Sequence, residues 1–181
     1  MSSYFPHFDP ASPPKVKKHH RPANPESLEH VKHRETARIL LLNGSGELLM
    51  MNTHWDPGTG LPPRWLTPGG GIDPGETVLE AAVRELYEET GLVAEPEALG
   101  EIVTSLPFKI TWVNGQYETG IAHFYELSLD DGFELSSDNW TQDEHRDVIE
   151  WRWWNPQELI ASGELVGPPG LLEFLEHHYR G

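Results

Sequence analysis

The chain has 181 residues, contains no cysteine and carries a formal net charge of −16 at pH 7. This length suits one compact domain with an extension, and the lack of cysteine excludes disulfides, thiolate zinc sites and cysteine nucleophiles. A chain this negative should repel long nucleic acids and anionic membranes unless its positive charges are segregated.

The N-terminus predicts neither export nor membrane insertion. It lacks the basic start and apolar run that mark a signal peptide. The longest apolar run, residues 39–42, is far too short to span a bilayer. We therefore expect a cytoplasmic protein.

Residues 1–33 are rich in proline, histidine, lysine and serine and show no sustained periodicity. We predict an arm that packs on the domain surface or on a partner subunit, within which residues 26–33 could form a short helix. Five of the 13 lysine and arginine residues lie in this arm. An anionic ligand of the remaining chain would therefore depend on metal ions and a few arginines.

The remaining chain alternates short apolar strands with helices. Hydrophobic periodicity and turn signals predict strands at residues 36–43, 47–53, 65–67, 98–105, 108–113, 117–129 and 148–154. They also predict helices from Thr77 to Gly91, at 156–162 and at 169–178, and an acidic loop or partial helix at 130–147. Strands interleaved with helices indicate an α/β protein, an α/β/α sandwich on a mixed β-sheet.

The helix from Thr77 to Gly91 has the clearest signal. Thr77 and Glu80 form a capping box at its start, and Gly91 is a typical C-terminal stop. Apolar residues recur at helical spacing and predict a stripe that packs on the sheet. The stripe consists of Leu79, Ala82, Val83 and Leu86.

A second face of this helix is acidic. Glu85, Glu88 and Glu89 have i, i+3 and i+4 spacing, which makes them neighbours on the helix surface. Like charges this close repel and reduce stability. The arrangement is explained if a hard divalent cation binds among them, because Mg²⁺ prefers oxygen ligands.

Residues 70–92 read GGIDPGETVLEAAVRELYEETGL and match the pattern G-x5-E-x7-R-E-L-x-E-E-x-G-L at all nine specified positions. This pattern is the Nudix box, and the chain resembles the Nudix hydrolases. Weaker similarity extends over residues 34–165. The resemblance implies a Nudix domain at residues 34–181 with the Nudix-fold α/β/α sandwich.

The resemblance further implies a hydrolase that cleaves a diphosphate linkage with Mg²⁺ or Mn²⁺. Glu85, Glu88 and Glu89 match the metal-binding glutamates, and the backbone of Gly70 matches a loop carbonyl that often completes the metal shell. The chemistry is consistent, because a metal ion neutralises phosphate oxygens and lowers the pKa of bound water.

Arg84 and Glu76 match the charge pair that supports the metal-binding glutamates, so we count Arg84 among the catalytic residues. Many Nudix enzymes take their general base from a loop shortly before the last strand. Glu144 is our choice in that loop. Glu118, Glu126 or a glutamate of the box itself are alternatives, and geometry has to decide among them.

The remaining candidates would bind the substrate. Arginine is suited to bidentate phosphate contacts, and Arg38 and Arg64 border the site in the fold that the chain resembles. Trp65 and Phe108 could stack on a nucleobase. We therefore predict these four side chains as substrate contacts.

The identity of the substrate stays open at this point. A nucleoside diphosphate derivative such as ADP-ribose and a nucleoside triphosphate, including an oxidised one, would use the same box. A non-catalytic module that senses a nucleotide and an RNA 5′-end pyrophosphohydrolase are the alternatives. The intact box favours an enzyme over a sensor, and family habit predicts a homodimer.

Overall fold

The computed structural model describes residues 30–55, 57–130 and 133–180, which contain seven strands and five α-helices. The strands are β1 (His30–Leu42), β2 (Leu48–Thr53), β3 (Arg64–Leu66), β4 (Gly69–Gly71), β5 (Thr104–Thr111), β6 (Tyr117–Ser128) and β7 (Val148–Trp154). The helices are α1 (Val78–Thr90), α2 (Pro96–Leu99), α3 (Gln142–Asp147), α4 (Pro156–Ala161) and α5 (Leu171–His178), and a short 3-10 helix covers Pro57–Thr59.

The strands form one mixed sheet. Its main path has the order β3-β2-β1-β6-β5, in which β1 and β6 run parallel and the other neighbours run antiparallel. Strand β4 pairs with β1 from Thr36 to Arg38, whereas β7 pairs along β2. Strands β1 and β2 pair at Leu42 and Leu48, next to the turn between them. Beyond this point β1 pairs with β4, whereas β2 pairs with β3 and β7, so the sheet divides into two parts. Arg38 lies on β1 at this division.

Apolar cores lie on both faces of the sheet, because successive side chains of a strand point to opposite faces. On β1, Ile39 and Leu41 belong to the core covered by α1, while Leu40 and Leu42 belong to the core that includes residues of α4 and α5. All four side chains are buried, and burial of each contributes about 1.5–3 kcal/mol. The predicted α/β/α sandwich on a mixed sheet is confirmed.

Helix α1 begins and ends at the residues that the sequence predicts. The side chain of Thr77 accepts a hydrogen bond from the Glu80 N–H, and the Glu80 side chain accepts one in return from the Thr77 N–H. Gly91 follows the helix with a φ of 76°, a left-handed conformation that favours glycine. These local signals fix the length of the helix and hence the position of its acidic face.

Three predicted elements were wrong. Residues 30–33, predicted as part of a short helix, belong to β1, where they pair with β6; the rest of that predicted helix and of the arm lies outside the described residues. The predicted strands 98–105 and 108–113 are a helix, α2, followed by one strand, β5. Pro96 fits the first turn of α2, and β5 accommodates Pro107 because it lies at the end of the strand order.

Among the described residues, no helix is long and apolar enough to cross a membrane. The predicted division between an arm at 1–33 and a domain at 34–181 stays a prediction.

Candidate active site

The guanidinium of Arg84 is surrounded by acceptors. It donates hydrogen bonds to Glu76 (2.8 and 2.9 Å), Glu85 (2.7 Å), Glu88 (3.0 Å) and the carbonyl oxygen of Gly71 (2.9 Å). Burial lowers the pKa of Arg84, but the hydrogen bond to Glu76 and the charges of Glu85 and Glu88 outweigh it, so the pKa is raised above its usual value. Arg84 therefore stays charged and holds two glutamates of the acidic face in place.

The glycine-rich loop at the start of the box, Gly69–Gly71, forms strand β4 and lies against α1. The backbone N–H of Gly69 donates a 2.6 Å hydrogen bond to Oε2 of Glu89. A Cβ atom on Gly70 would lie 2.5 Å from Oε1 of Glu85, so any side chain there would displace that carboxylate. The lack of a side chain at Gly70 therefore lets the loop backbone and the acidic face approach closely.

Glu89 lies in a strongly negative environment. Burial and the charges of Glu85 and Glu144 raise its pKa well above the usual 4.5, although the Gly69 N–H and the charge of Arg38 act in the opposite direction. Like charges that share a site disfavour ionisation. A bound cation would relieve this excess of negative charge.

Arg38 is the buried positive charge near Glu89. Burial lowers its pKa, an effect that the charge of Glu89 partly offsets. Its Nη1 donates a 2.9 Å hydrogen bond to the carbonyl oxygen of Thr67, which follows β3. This bond fixes the guanidinium at the division of the sheet.

A cleft of about 180 Å³ opens beside these groups. Its lining includes Arg38 of β1, Gly69 of β4 and Glu89 of α1. Helix α3 adds Asp143 and Glu144. Three predicted site residues, Arg38, Glu89 and Glu144, thus come together at one cleft.

The candidates for the general base differ in position. Glu144 lines the cleft, but its Oε2 also accepts a 2.6 Å hydrogen bond from the Thr141 N–H and so caps α3. Glu118 is ion-paired with Arg34 on β1 at 2.9 Å. Glu126 accepts a 2.7 Å hydrogen bond from the hydroxyl of Tyr179, which follows α5. Of these three glutamates, Glu144 is the one that lines the cleft.

The other predicted substrate contacts do not line this cleft. Trp65 is 3% exposed and packs edge-on against Trp154 in the core, with ring centroids 5.3 Å apart. The guanidinium of Arg64 lies 4.7 Å above the ring of Trp55, and Phe108 is buried in the core on the α4 and α5 side. The cleft lining does not include Arg64, Trp65 or Phe108.

The sequence did not predict that the loop before α3 is tied to α1. Nε1 of Trp140 donates a 2.8 Å hydrogen bond to the backbone carbonyl oxygen of Glu89, and its ring packs edge-on against Trp151. Asn139 donates a second hydrogen bond, of 3.2 Å, to the carbonyl oxygen of Tyr87. These bonds fix the loop that leads into α3, and with it Glu144, relative to the acidic face of α1.

The donor atoms at this site fit a hard cation. The carboxylates of Glu85, Glu88 and Glu89 and the carbonyl of Gly70 are oxygen donors of the kind that Mg²⁺ and Mn²⁺ prefer. Over the described residues 30–55, 57–130 and 133–180, no three acidic or histidine side chains converge into a ready metal site. The bonds from Arg84 to Glu85 and Glu88 are one reason, since they draw these carboxylates to the guanidinium.

Comparison with protein families matches a NUDIX domain to residues 32–176. Among similar proteins, an RNA pyrophosphohydrolase of Erythrobacter litoralis is 30% identical over 144 residues, which cover 72% of this chain and 81% of the relative. An RNA pyrophosphohydrolase of Cereibacter sphaeroides is 31% identical over 144 residues, covering 72% and 80%.

Solved structures share the fold. A MutT protein from Methanosarcina mazei has a TM-score of 0.60 and 24% identity, with 81% of this chain and 92% of that chain covered. An Ap4A hydrolase from C. elegans has a TM-score of 0.52 and 20% identity, covering 80% and 94%. The box, the fold and the family match agree: the chain belongs to the Nudix family and is the pyrophosphohydrolase that the box predicted.

Proposed function

We propose that this chain hydrolyses a diphosphate linkage in a small nucleotide, either a nucleoside diphosphate derivative of the ADP-ribose type or a nucleoside triphosphate such as an oxidised dNTP. The observation that carries this proposal is the cleft in which Arg38, Glu89 and Glu144 meet beside the glycine-rich loop. A buried arginine next to a set of carboxylates suits a substrate that is bound partly by metal and partly by protein.

Glu85, Glu88 and Glu89, with the carbonyl of Gly70, would hold Mg²⁺ or Mn²⁺. The bound metal would supply neutralisation of the phosphate oxygens and a lowered pKa of the attacking water. Arg84 acts through its bonds to Glu85 and Glu88, so we assign it a positioning role rather than a contact with the substrate.

Arg38 contacts a phosphate in this proposal, because its guanidinium lies in the cleft lining and cannot lose its charge at physiological pH. Glu144 removes a proton from the attacking water as general base. The carboxylate of Glu144 can accept this proton at the cleft while it keeps its hydrogen bond to the Thr141 N–H, so α3 does not have to move.

A panel of substrates tests the proposal. Purified protein with Mg²⁺ or Mn²⁺ is mixed with ADP-ribose, dinucleoside polyphosphates, nucleotide sugars, normal dNTPs and 8-oxo-dGTP, and the released phosphate and nucleoside monophosphate are measured. Turnover of one class, abolished by a chelator, supports the proposal. Metal-dependent binding without turnover of any compound would instead establish the sensor alternative.

A second candidate is an RNA 5′-end pyrophosphohydrolase, which the names of the similar bacterial proteins favour. The net charge of −16 opposes extended contact with RNA, although five positive residues lie within residues 1–33. A short triphosphorylated RNA is therefore compared with the matching free triphosphate. Faster cleavage of the RNA, with a steep fall as salt rises, would favour this candidate over the small nucleotide.

Two further expectations complete the proposal. We propose a homodimer and a cytoplasmic location, in line with the sequence analysis. Sedimentation that finds only monomer at high protein concentration would contradict the first, and localisation of the tagged full chain in cells would test the second.

A further inference from the structure

A second, smaller cavity lies next to the cleft. It has a volume of about 20 Å³ and shares Arg38 and Leu66 with the cleft lining. The rest of its wall includes Arg34 and Thr36 from β1, Trp55 from the loop after β2, and the core residue Phe108. A ligand whose diphosphate binds in the cleft could therefore reach this cavity past Arg38.

Three polar groups of the cavity wall are buried without a hydrogen-bond partner among the described residues. They are Nε of Arg34, Oγ1 of Thr36 and Nε1 of Trp55. Thr36 is only 1% exposed. A buried polar group without a partner is unfavourable, and native proteins leave few of them. Three such residues around one cavity are explained if a water molecule or a polar ligand atom binds there.

The chemistry of these groups selects the ligand atom. The Nε–H groups of arginine and tryptophan can only donate, and a threonine hydroxyl can donate or accept. The cavity therefore suits a hydrogen-bond acceptor. A volume of about 20 Å³ is enough for one water-sized atom, so the acceptor is a single oxygen.

Arg34 and Arg38 both line the cavity, but the charge of Arg38 is offset by Glu89 and is assigned to the phosphate in the cleft, so the cavity favours a neutral acceptor over an anion. Nη2 of Arg34 already donates a 2.9 Å hydrogen bond to Glu118, whose side chain also pairs with Lys32 at 3.5 Å. The ring of Trp55 is held by the guanidinium of Arg64 at 4.7 Å. The donors are thus held in place while the charge of Arg34 is already compensated by a carboxylate.

We infer that this cavity is a specificity subsite that binds one carbonyl oxygen of the substrate's nucleobase. The inference rests on the proposed function, because the nucleobase is placed relative to a diphosphate in the cleft. A keto purine such as hypoxanthine or guanine carries an acceptor oxygen at position 6, whereas adenine carries an amino group there. The enzyme should therefore prefer keto-purine nucleotides to the matching adenine nucleotides.

The test compares inosine and adenosine versions of whichever purine nucleotide is cleaved, because the two bases differ little in size. We expect a higher kcat/KM for the inosine compound. Removing one neutral hydrogen bond of about 0.5–1.5 kcal/mol changes this ratio by roughly two- to twelvefold. Thr36→Val, which removes the hydroxyl at nearly constant shape, and Trp55→Phe, which removes the N–H, should each lower the preference by such a factor.

Thr104→Val on β5 and Trp153→Phe on β7 are matched controls, because neither residue lines the cavity or the cleft. Both controls should keep the wild-type ratio, and circular dichroism confirms that all variants are folded. A wild-type ratio near one, or an unchanged ratio in both cavity variants, would overturn the inference even if nucleotides are cleaved. If no nucleotide is cleaved, the proposed function fails instead, and dissociation constants of the two nucleotides with Mg²⁺ test the subsite separately.

Discussion

Replacing Arg84 by methionine should destabilise the metal-free protein strongly. Arg84 donates to three glutamates and one carbonyl oxygen, and its own side chain is 5% exposed. The substitution keeps the length and apolar part of the side chain but removes the positive charge. Glu76, Glu85 and Glu88 would then be left as neighbouring carboxylates with side chains at most 9% exposed.

The size of the effect follows from the loss of a partner at a buried ion pair. Removing one partner of such a pair costs about 3–5 kcal/mol, because the remaining charge stays buried without compensation. With a urea m-value of about 2 kcal/mol per molar, a loss of about 4 kcal/mol lowers the unfolding midpoint by about 2 M. Because domains are stable by only about 5–15 kcal/mol, this variant should be folded but marginal.

The assay is urea unfolding with a chelator present, so that bound metal cannot mask the effect. Arg146→Met is the matched control, since Arg146 also bonds two carboxylates, Asp143 and Asp147, but its side chain is 54% exposed. Surface ion pairs contribute little, so the midpoint of this control should hardly move. Equal shifts for Arg84→Met and Arg146→Met would refute the reasoning. Arg84→Lys should fall between wild type and Arg84→Met, because lysine keeps the charge without the planar fork.

Three further predictions concern the cleft. The folded-state pKa of Glu89 is raised by burial and neighbouring carboxylates, so its contribution to stability is present below pH 4.5 and is lost as pH rises through the raised value. Glu89→Gln should flatten this decline in urea unfolding of the metal-free protein and remove most Mg²⁺-dependent turnover; wild-type turnover at limiting Mg²⁺ would contradict our metal assignment. Glu144→Gln keeps a residue that can form the capping box, and steady-state kinetics should show kcat lowered by about 10²–10⁴. An unchanged kcat would move the general base elsewhere. Trp140→Phe loses the bond to the Glu89 carbonyl, and should lower kcat severalfold for a stability loss of about 1 kcal/mol in urea; a stability loss without any change in kcat would show that this bond does not position the loop.

The fold was predictable wherever a local signal agreed with the packing. The cap at Thr77 and the stop at Gly91 set the two ends of α1 without help from the rest of the chain. The apolar run of β1 contributes residues to both cores. The prediction failed around Pro107, because proline normally interrupts a strand. Only the strand order shows that β5 lies at the end of the sheet, where a proline is tolerated.

The candidate site was predictable where its residues lie close together in the sequence. Glu85, Glu88 and Glu89 share one helix, so spacing alone places them together, and the box adds Glu76 and Gly70 from the preceding loop. Glu144 lies 55 residues beyond Glu89, and its place in the cleft depends on the bonds that tie the loop at Trp140 to α1. Such contacts between distant segments have no periodicity that a single sequence could reveal.

The tryptophans show why the substrate contacts were the least predictable part. Trp65 was predicted to stack on a nucleobase, yet β3 has three residues and gives no alternation from which to read its inward face. That face packs Trp65 against Trp154. Trp55 belongs to a loop without periodicity, lines the small cavity beside the cleft, and has a buried N–H without a hydrogen-bond partner among the described residues. Substrate specificity is therefore expected to depend on the loop after β2, which lies outside the box.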